Sequence, residues 1–137
     1  MSGSPMALDH CIDKLESSYE LMLAYAAQGR DVERVGGDGP PIRGILGDLR
    51  SALGAVAQSF KARIADLQAP QAFADFCHVL EEDAERASKA VELVLATSNI
   101  SSQLVDNLNA SMHLRALLTD MFLLDEATKL LSRQRRH

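Results

Sequence analysis

The sequence predicts an all-α protein, built as an up-down-up-down four-helix bundle that we expect to be dimeric. Four stretches of similar length carry apolar residues at alternating intervals of three and four, the spacing of an apolar stripe along a helix. Breaks rich in glycine, proline or small polar residues separate these stretches. No stretch alternates apolar and polar residues as a strand does. Four amphipathic helices of similar length are typical of this bundle.

The first predicted helix spans about 5–28. Ser4 can cap its start, and Pro5 suits the first helical position because its missing N–H has no partner there in any helix. Gly29 is a natural end. Its apolar stripe consists of Leu8, Ile12, Leu15, Tyr19, Met22 and Ala26.

A flexible linker is predicted over 29–40, because four glycines and two prolines fall between Gly29 and Pro41. The run Gly36-Gly37-Asp38-Gly39 precedes a predicted helix, where backbone N–H groups can hold an anion. A phosphate-binding loop would also need a Gly-Lys-Ser/Thr ending, which is missing. We therefore favour a plain linker.

The second predicted helix spans about 41–68, and its stripe runs from Ile42 to Leu67. Its interior also contains Gly44, Gly47 and Gly54, and each such glycine costs about 1 kcal/mol relative to alanine. Either another helix approaches these glycines closely, or they are tolerated unfavourable residues. The pattern leaves both explanations open.

The third predicted helix spans about 70–97. Only Ala69-Pro70 separates it from the second, so the two should form an antiparallel hairpin. Its stripe runs from Phe73 to Val94, and its other side is strongly acidic. A polar break follows, Thr97-Ser98-Asn99-Ile100-Ser101-Ser102, which contains several candidate caps.

The fourth predicted helix spans about 102–133. Its second half, Leu114–Leu131, is apolar nearly all round, so it must be buried on more than one side. It is either the central helix of the bundle or a helix whose outer face meets a second chain. We predict the second, with a homodimer and an interaction surface formed by Leu114, Leu117, Leu118, Met121, Phe122 and Leu123.

Composition narrows the class of protein. The 137 residues fit one domain, 1–137, with 47% hydrophobic and 24% charged residues. A net charge of −5 opposes non-specific binding to nucleic acid or to anionic membrane. No leader or membrane-spanning segment is recognisable, so we expect a cytoplasmic protein. Cys11 and Cys77 have no metal-ligand spacing and should be small buried residues.

Two alternatives involve histidines. Asp75 and His78 form an Asp-x-x-His pair, and Glu82 follows His78 at i+4, as in fragments of di-iron sites; the further ligands of such sites are missing. His113 on a long helix could accept a phosphoryl group, but the Lys and Gly that normally follow such a histidine are absent. Exposed histidines on solvated faces explain both better.

No nucleophile motif or cofactor signature is present. The sequence therefore favours a small non-enzymatic interaction protein, an adaptor, regulator or export-type chaperone, that acts through an apolar helix face. Its expected partners are a second copy of itself and another protein, with no nucleic acid, membrane, cofactor or metal. A metal- or cofactor-binding bundle and a histidine phosphotransfer domain are the alternatives.

Overall fold

The computed structural model describes residues 7–33 and 40–135, and all regular structure in these ranges is helical. None of the helices in them is long and apolar enough to cross a membrane. The five helices are α1 (Leu8–Ala27), α2 (Ile42–Leu67), α3 (Gln71–Leu95), α4 (Ser102–Met112) and α5 (Leu114–Arg135).

The first three predicted helices are confirmed, with ends that differ by one to three residues. Helix α1 begins at Leu8 after the extended residue Ala7, and the predicted cap at Ser4 lies outside the described residues. The polar break before α4 supplies a cap, since the Ser101 side chain accepts a hydrogen bond from the Leu104 N–H at 3.1 Å. The Gly36–Gly39 run also lies outside the described residues.

The prediction of a single fourth helix over 102–133 is wrong. This segment forms two helices, α4 and α5, which meet at His113. This residue has left-handed backbone angles, φ 51 and ψ 43, which end α4. The His113 carbonyl then accepts a hydrogen bond from the Leu117 N–H at 3.1 Å and opens α5. A residue with left-handed backbone angles interrupts a right-handed helix, so the chain changes direction here without an intervening loop.

Helix α2 runs antiparallel to both α1 and α3. Asp9 near the start of α1 lies 3.9 Å from Arg63 near the end of α2. Arg43, at the start of α2, donates to the carbonyl oxygen of Leu95 at the end of α3. The predicted hairpin between α2 and α3 is confirmed; it turns through Gln68, which has φ 48.

Helices α4 and α5 together lie against the other three helices. The start of α4 contacts the end of α1, where the Ser102 hydroxyl donates to the Tyr25 carbonyl at 2.7 Å. The end of α5 returns to the end of α2, where Arg135 donates to the carbonyl oxygens of Leu67 and Gln68. The pair of helices therefore runs antiparallel to α1.

One apolar cluster forms the core, and every one of the five helices contributes to it. Burial of each large aliphatic or aromatic side chain contributes roughly 1.5–3 kcal/mol, which makes this cluster the main source of stability. The largest side chains with almost no exposure include Phe60, Leu15, Met22, Leu46, Leu80, Leu114 and Met121.

A polar network closes the end of the molecule where α1, α2 and α3 meet. Arg43 forms a two-point pair with Glu33, with N–O distances of 2.8 and 3.0 Å. The same guanidinium donates to the carbonyl oxygens of Leu95 and Thr97. It therefore satisfies the unpaired carbonyls at the end of α3 and holds the segment after α1 against them.

A second set of hydrogen bonds joins the segment after α1 to the break before α4. The Tyr25 hydroxyl donates to the Ile100 carbonyl at 2.6 Å, and the Asn99 carboxamide oxygen accepts from the Glu33 N–H at 2.8 Å. The backbone groups of Arg30 and Ser102 also bond, with the Ser102 N–H donating to the Arg30 carbonyl at 2.8 Å. These contacts fix where α4 begins.

The α2 glycines face open space. Apart from the neighbouring backbone of α2 itself, a Cβ atom added to Gly47 or Gly54 would meet no described atom within 4 Å, and one added to Gly44 would meet only Pro41, at 3.5 Å. Close approach by another helix in the described ranges is therefore not the reason for these glycines.

Candidate interaction surface

The six residues predicted as an interaction surface divide into two groups. Leu114, Leu117, Leu118 and Met121 are buried in the core. Phe122 is 42% exposed and Leu123 is 60% exposed. The first group can contact a partner only if the core opens, so the candidate surface narrows to the outer side of α5.

We call this side the outer ridge of α5, and define it as Ala116, Leu123, Ala127 and Leu130. Leu123 and Leu130 are separated by two helical turns and therefore project from the same face, where Leu130 is 48% exposed. Leu123 follows buried Met121 by two positions, which is roughly 200° around a helix. The ridge therefore points away from the core, towards solvent.

Phe122 lies beside the ridge on the side that faces α1. It lines a shallow groove between α1 and α5 together with Tyr19 and Leu118. Glu16, Glu20 and Arg115 also line it. The groove therefore combines apolar side chains with charged ones.

Contacts with α2 fix the orientation of α5, and therefore of the ridge. Arg63 of α2 donates to the Asp125 carboxylate at 2.7 Å and to the Thr128 hydroxyl at 3.3 Å. Lys129 also pairs with Asp125, at 2.9 Å. Thr128 is fully buried. Because this side of α5 is held by charged hydrogen bonds, the opposite side stays outward.

One titratable group lies next to the ridge on the side that faces α3. Partial burial, with a smaller contribution from the nearby Asp83 carboxylate, raises the pKa of Asp120 above its ordinary value. Within residues 7–33 and 40–135, Asp120 forms no ion pair. The edge of the ridge therefore carries an uncompensated carboxylate.

The predicted histidine positions lie on the surface. His78 is exposed on α3, 3.8 Å from Glu81 and 3.9 Å from Glu82. His113 is exposed at the junction of α4 and α5 rather than within a continuous helix. Across the described ranges, no group of His, Cys, Asp or Glu side chains has a metal-binding arrangement.

Both cysteines are free and buried, as expected from their positions. Burial raises the pKa of the Cys11 thiol and of the Cys77 thiol, so their reactive thiolate forms are disfavoured. Each lies against α2: Cys11 is 4.0 Å from the Ser59 hydroxyl, and Cys77 donates to the Ala57 carbonyl at 3.7 Å.

Leu130 and Ala127 also belong to the outward face, although the interaction surface predicted from the sequence does not include them. The available signal is the seven-residue interval from Ala116 to Leu123 and on to Leu130, which marks a second stripe on the helix. The contacts of Arg43 with Leu95 and Thr97 left no signal in the sequence, because they join residues more than fifty positions apart.

Comparisons with known proteins provide no relative for this chain: no protein-family model matches it, and neither the curated proteins nor the solved structures include a match.

Proposed function

We propose that this chain is a small non-enzymatic interaction protein, an adaptor, regulator or chaperone, that binds a protein partner through the outer ridge of α5. The observation that carries the proposal is the exposure of Leu123 and Leu130 at a two-turn interval on a helix whose other side is pinned to α2. Two large leucines on one exposed helix face are suited to the groove or helix of a partner.

The architecture that goes with this proposal is the up-down-up-down four-helix bundle, with α4 and α5 as a fourth rod that bends at His113. A bundle offers a rigid scaffold, and a surface on a rigid helix binds with little loss of conformational entropy. We place this function in the cytoplasm.

The test compares three substitutions of leucine by glutamate. Leu123→Glu changes the ridge, Leu118→Glu changes the core, and Leu93→Glu changes a leucine on α3 that is 70% exposed and away from the ridge. Circular dichroism should show Leu123→Glu and Leu93→Glu folded, whereas Leu118→Glu should unfold because it buries an unpaired charge.

Binding is then measured for the two folded variants, by light scattering for self-association and by affinity capture from the native cell extract. The partner, whether a second copy or another protein, should be lost with Leu123→Glu and retained with Leu93→Glu. Equal binding by both variants would refute the proposal, as would a wild-type chain that remains monomeric and captures nothing.

A further inference from the structure

The outer ridge carries a pair of opposite charges on one of its edges. Glu126 and Arg133 are separated by two helical turns, so both project from the edge that faces α1. The Arg133 guanidinium lies 3.4 Å from the Glu126 carboxylate. Both side chains are exposed, and an ion pair of this kind contributes little to the stability of a single chain.

Two opposite charges on one edge of a helix can pair with the same two charges of a second copy only when the two helices are antiparallel. A two-fold axis perpendicular to the helix reverses the chain direction and brings like edges together. If this axis passes midway between Glu126 and Arg133, each residue meets its opposite charge on the second copy. The axis then lies close to Lys129 and Leu130 in both chains.

An axis at this place also brings apolar residues of the ridge together. Leu130 of one copy would lie beside Leu130 of the partner subunit, with an offset of about 1.5 Å along the helices. The small side chain of Ala127, one turn away, leaves room for the two helices to approach to about 8–10 Å between their axes. The next ridge residue, Leu123, would lie near the level of Arg135 of the partner subunit, the last residue of its α5.

Resting on the function proposed above, we propose that the partner of the outer ridge is a second copy of this chain, with the two α5 helices antiparallel about an axis near Leu130 and with Glu126 of each copy facing Arg133 of the partner subunit. Opposite charges across such an interface fix the orientation of the two copies as well as adding to their affinity.

Cysteine cross-linking of the full chain tests the orientation. Leu130→Cys places two thiols level with each other near the axis. Leu123→Cys places them about 20 Å apart along the helices, at a rise of 1.5 Å per residue, far beyond the roughly 7 Å Cα separation that a disulfide allows. The native thiols of Cys11 and Cys77 are buried and should not react under mild oxidation. We expect a disulfide dimer with Leu130→Cys and none with Leu123→Cys.

A charge exchange tests the contact between the two copies. Glu126→Lys and Arg133→Glu should each weaken self-association, roughly tenfold in the dissociation constant, because each brings like charges together. The double variant Glu126→Lys/Arg133→Glu should restore it. Lys89→Glu, which disrupts an exposed pair with Glu92 on α3, is the matched control and should leave self-association unchanged.

The outcomes separate this inference from the proposed function. Equal cross-linking of both cysteine variants indicates parallel helices and overturns the inference, as does cross-linking of Leu123→Cys alone. The inference is also overturned if the wild type is a monomer that captures a different protein and the Leu123→Glu variant no longer captures it. In that case the proposed interaction function survives. Failure of Leu123→Glu to change any binding refutes both.

Discussion

Met112 and Leu114 are both buried in the core although a single residue separates them. On a continuous helix, two positions correspond to roughly 200°, so one of the two side chains would face solvent. The left-handed turn at His113 allows the apolar stripes of α4 and α5 to face the same core. The break in the fourth predicted helix is therefore a consequence of where its apolar residues lie.

The first prediction concerns the backbone at His113. Histidine in the left-handed region has a steric penalty that glycine lacks. We expect His113→Gly to raise the free energy of unfolding by about 0.5–1 kcal/mol, measured by chemical denaturation. The matched control is His78→Gly within α3, which should lower it by about 0.3–0.5 kcal/mol, the difference in helix propensity between histidine and glycine. A loss of stability for His113→Gly would argue against the left-handed turn.

The second prediction separates core from surface on α5. Met121 is fully buried, whereas Leu123 is mostly exposed. Met121→Ala should lower the free energy of unfolding by about 2–5 kcal/mol, because it removes buried surface and leaves a cavity. Leu123→Ala should change it by less than about 0.5 kcal/mol at protein concentrations where the chain is monomeric. Similar losses for both variants would contradict the placement of α5.

The third prediction concerns the glycines that face open space on α2. Gly47→Ala and Gly54→Ala should each raise the free energy of unfolding, by up to about 1 kcal/mol, because alanine favours the helix and finds room at both positions. The two effects should be nearly additive, since the residues are two turns apart. Thermal unfolding of the single and double variants measures this, and destabilisation would indicate that a partner covers this face.

The fourth prediction concerns the dependence of stability on pH. The hydrogen bonds from Arg43 lower the pKa of Glu33 below its ordinary value of 4.5, with a further contribution from the Ile100 N–H, while partial burial opposes the shift. The folded state therefore favours the ionised carboxylate. The contribution of ionised Glu33 to the free energy of unfolding is complete at pH values above the pKa that this group has in the unfolded chain. It is lost as the pH falls through the lower pKa of the folded state.

Replacement of Glu33 checks this sign. Glu33→Gln should be less stable than the wild type at pH 7, by about 1 kcal/mol, since it removes charged hydrogen bonds near the surface. The difference should begin to diminish near pH 4.5, where the Glu33 carboxylate of the unfolded chain becomes protonated, and should disappear as the pH falls through the lower pKa of the folded state. Denaturation curves for both proteins from pH 7 to pH 3 measure it. A difference that stays constant over this range would disprove the assignment.

Much of the helical structure was predictable from local pattern. The stripes from Leu8 to Ala26 and from Ile42 to Leu67 mark α1 and α2, because burial of one face requires apolar residues at helical intervals. The hairpin between α2 and α3 follows from Ala69-Pro70, since so short a connection leaves neighbouring helices antiparallel. The second stripe of α5 was also present in the sequence, in the interval between Leu123 and Leu130.

The sequence by itself determined the all-helical class, the first three helices and the excess of apolar residues on the last one. Only the tertiary structure decided which of those residues face outward, because Leu118 and Leu123 are equally apolar and differ only in what packs against them. It also decided the pair between Glu33 and Arg43, since side chains ten positions apart meet only after α1 and α3 have positioned the segments that carry them. Local pattern specifies a helix, whereas contact between distant segments requires the whole fold.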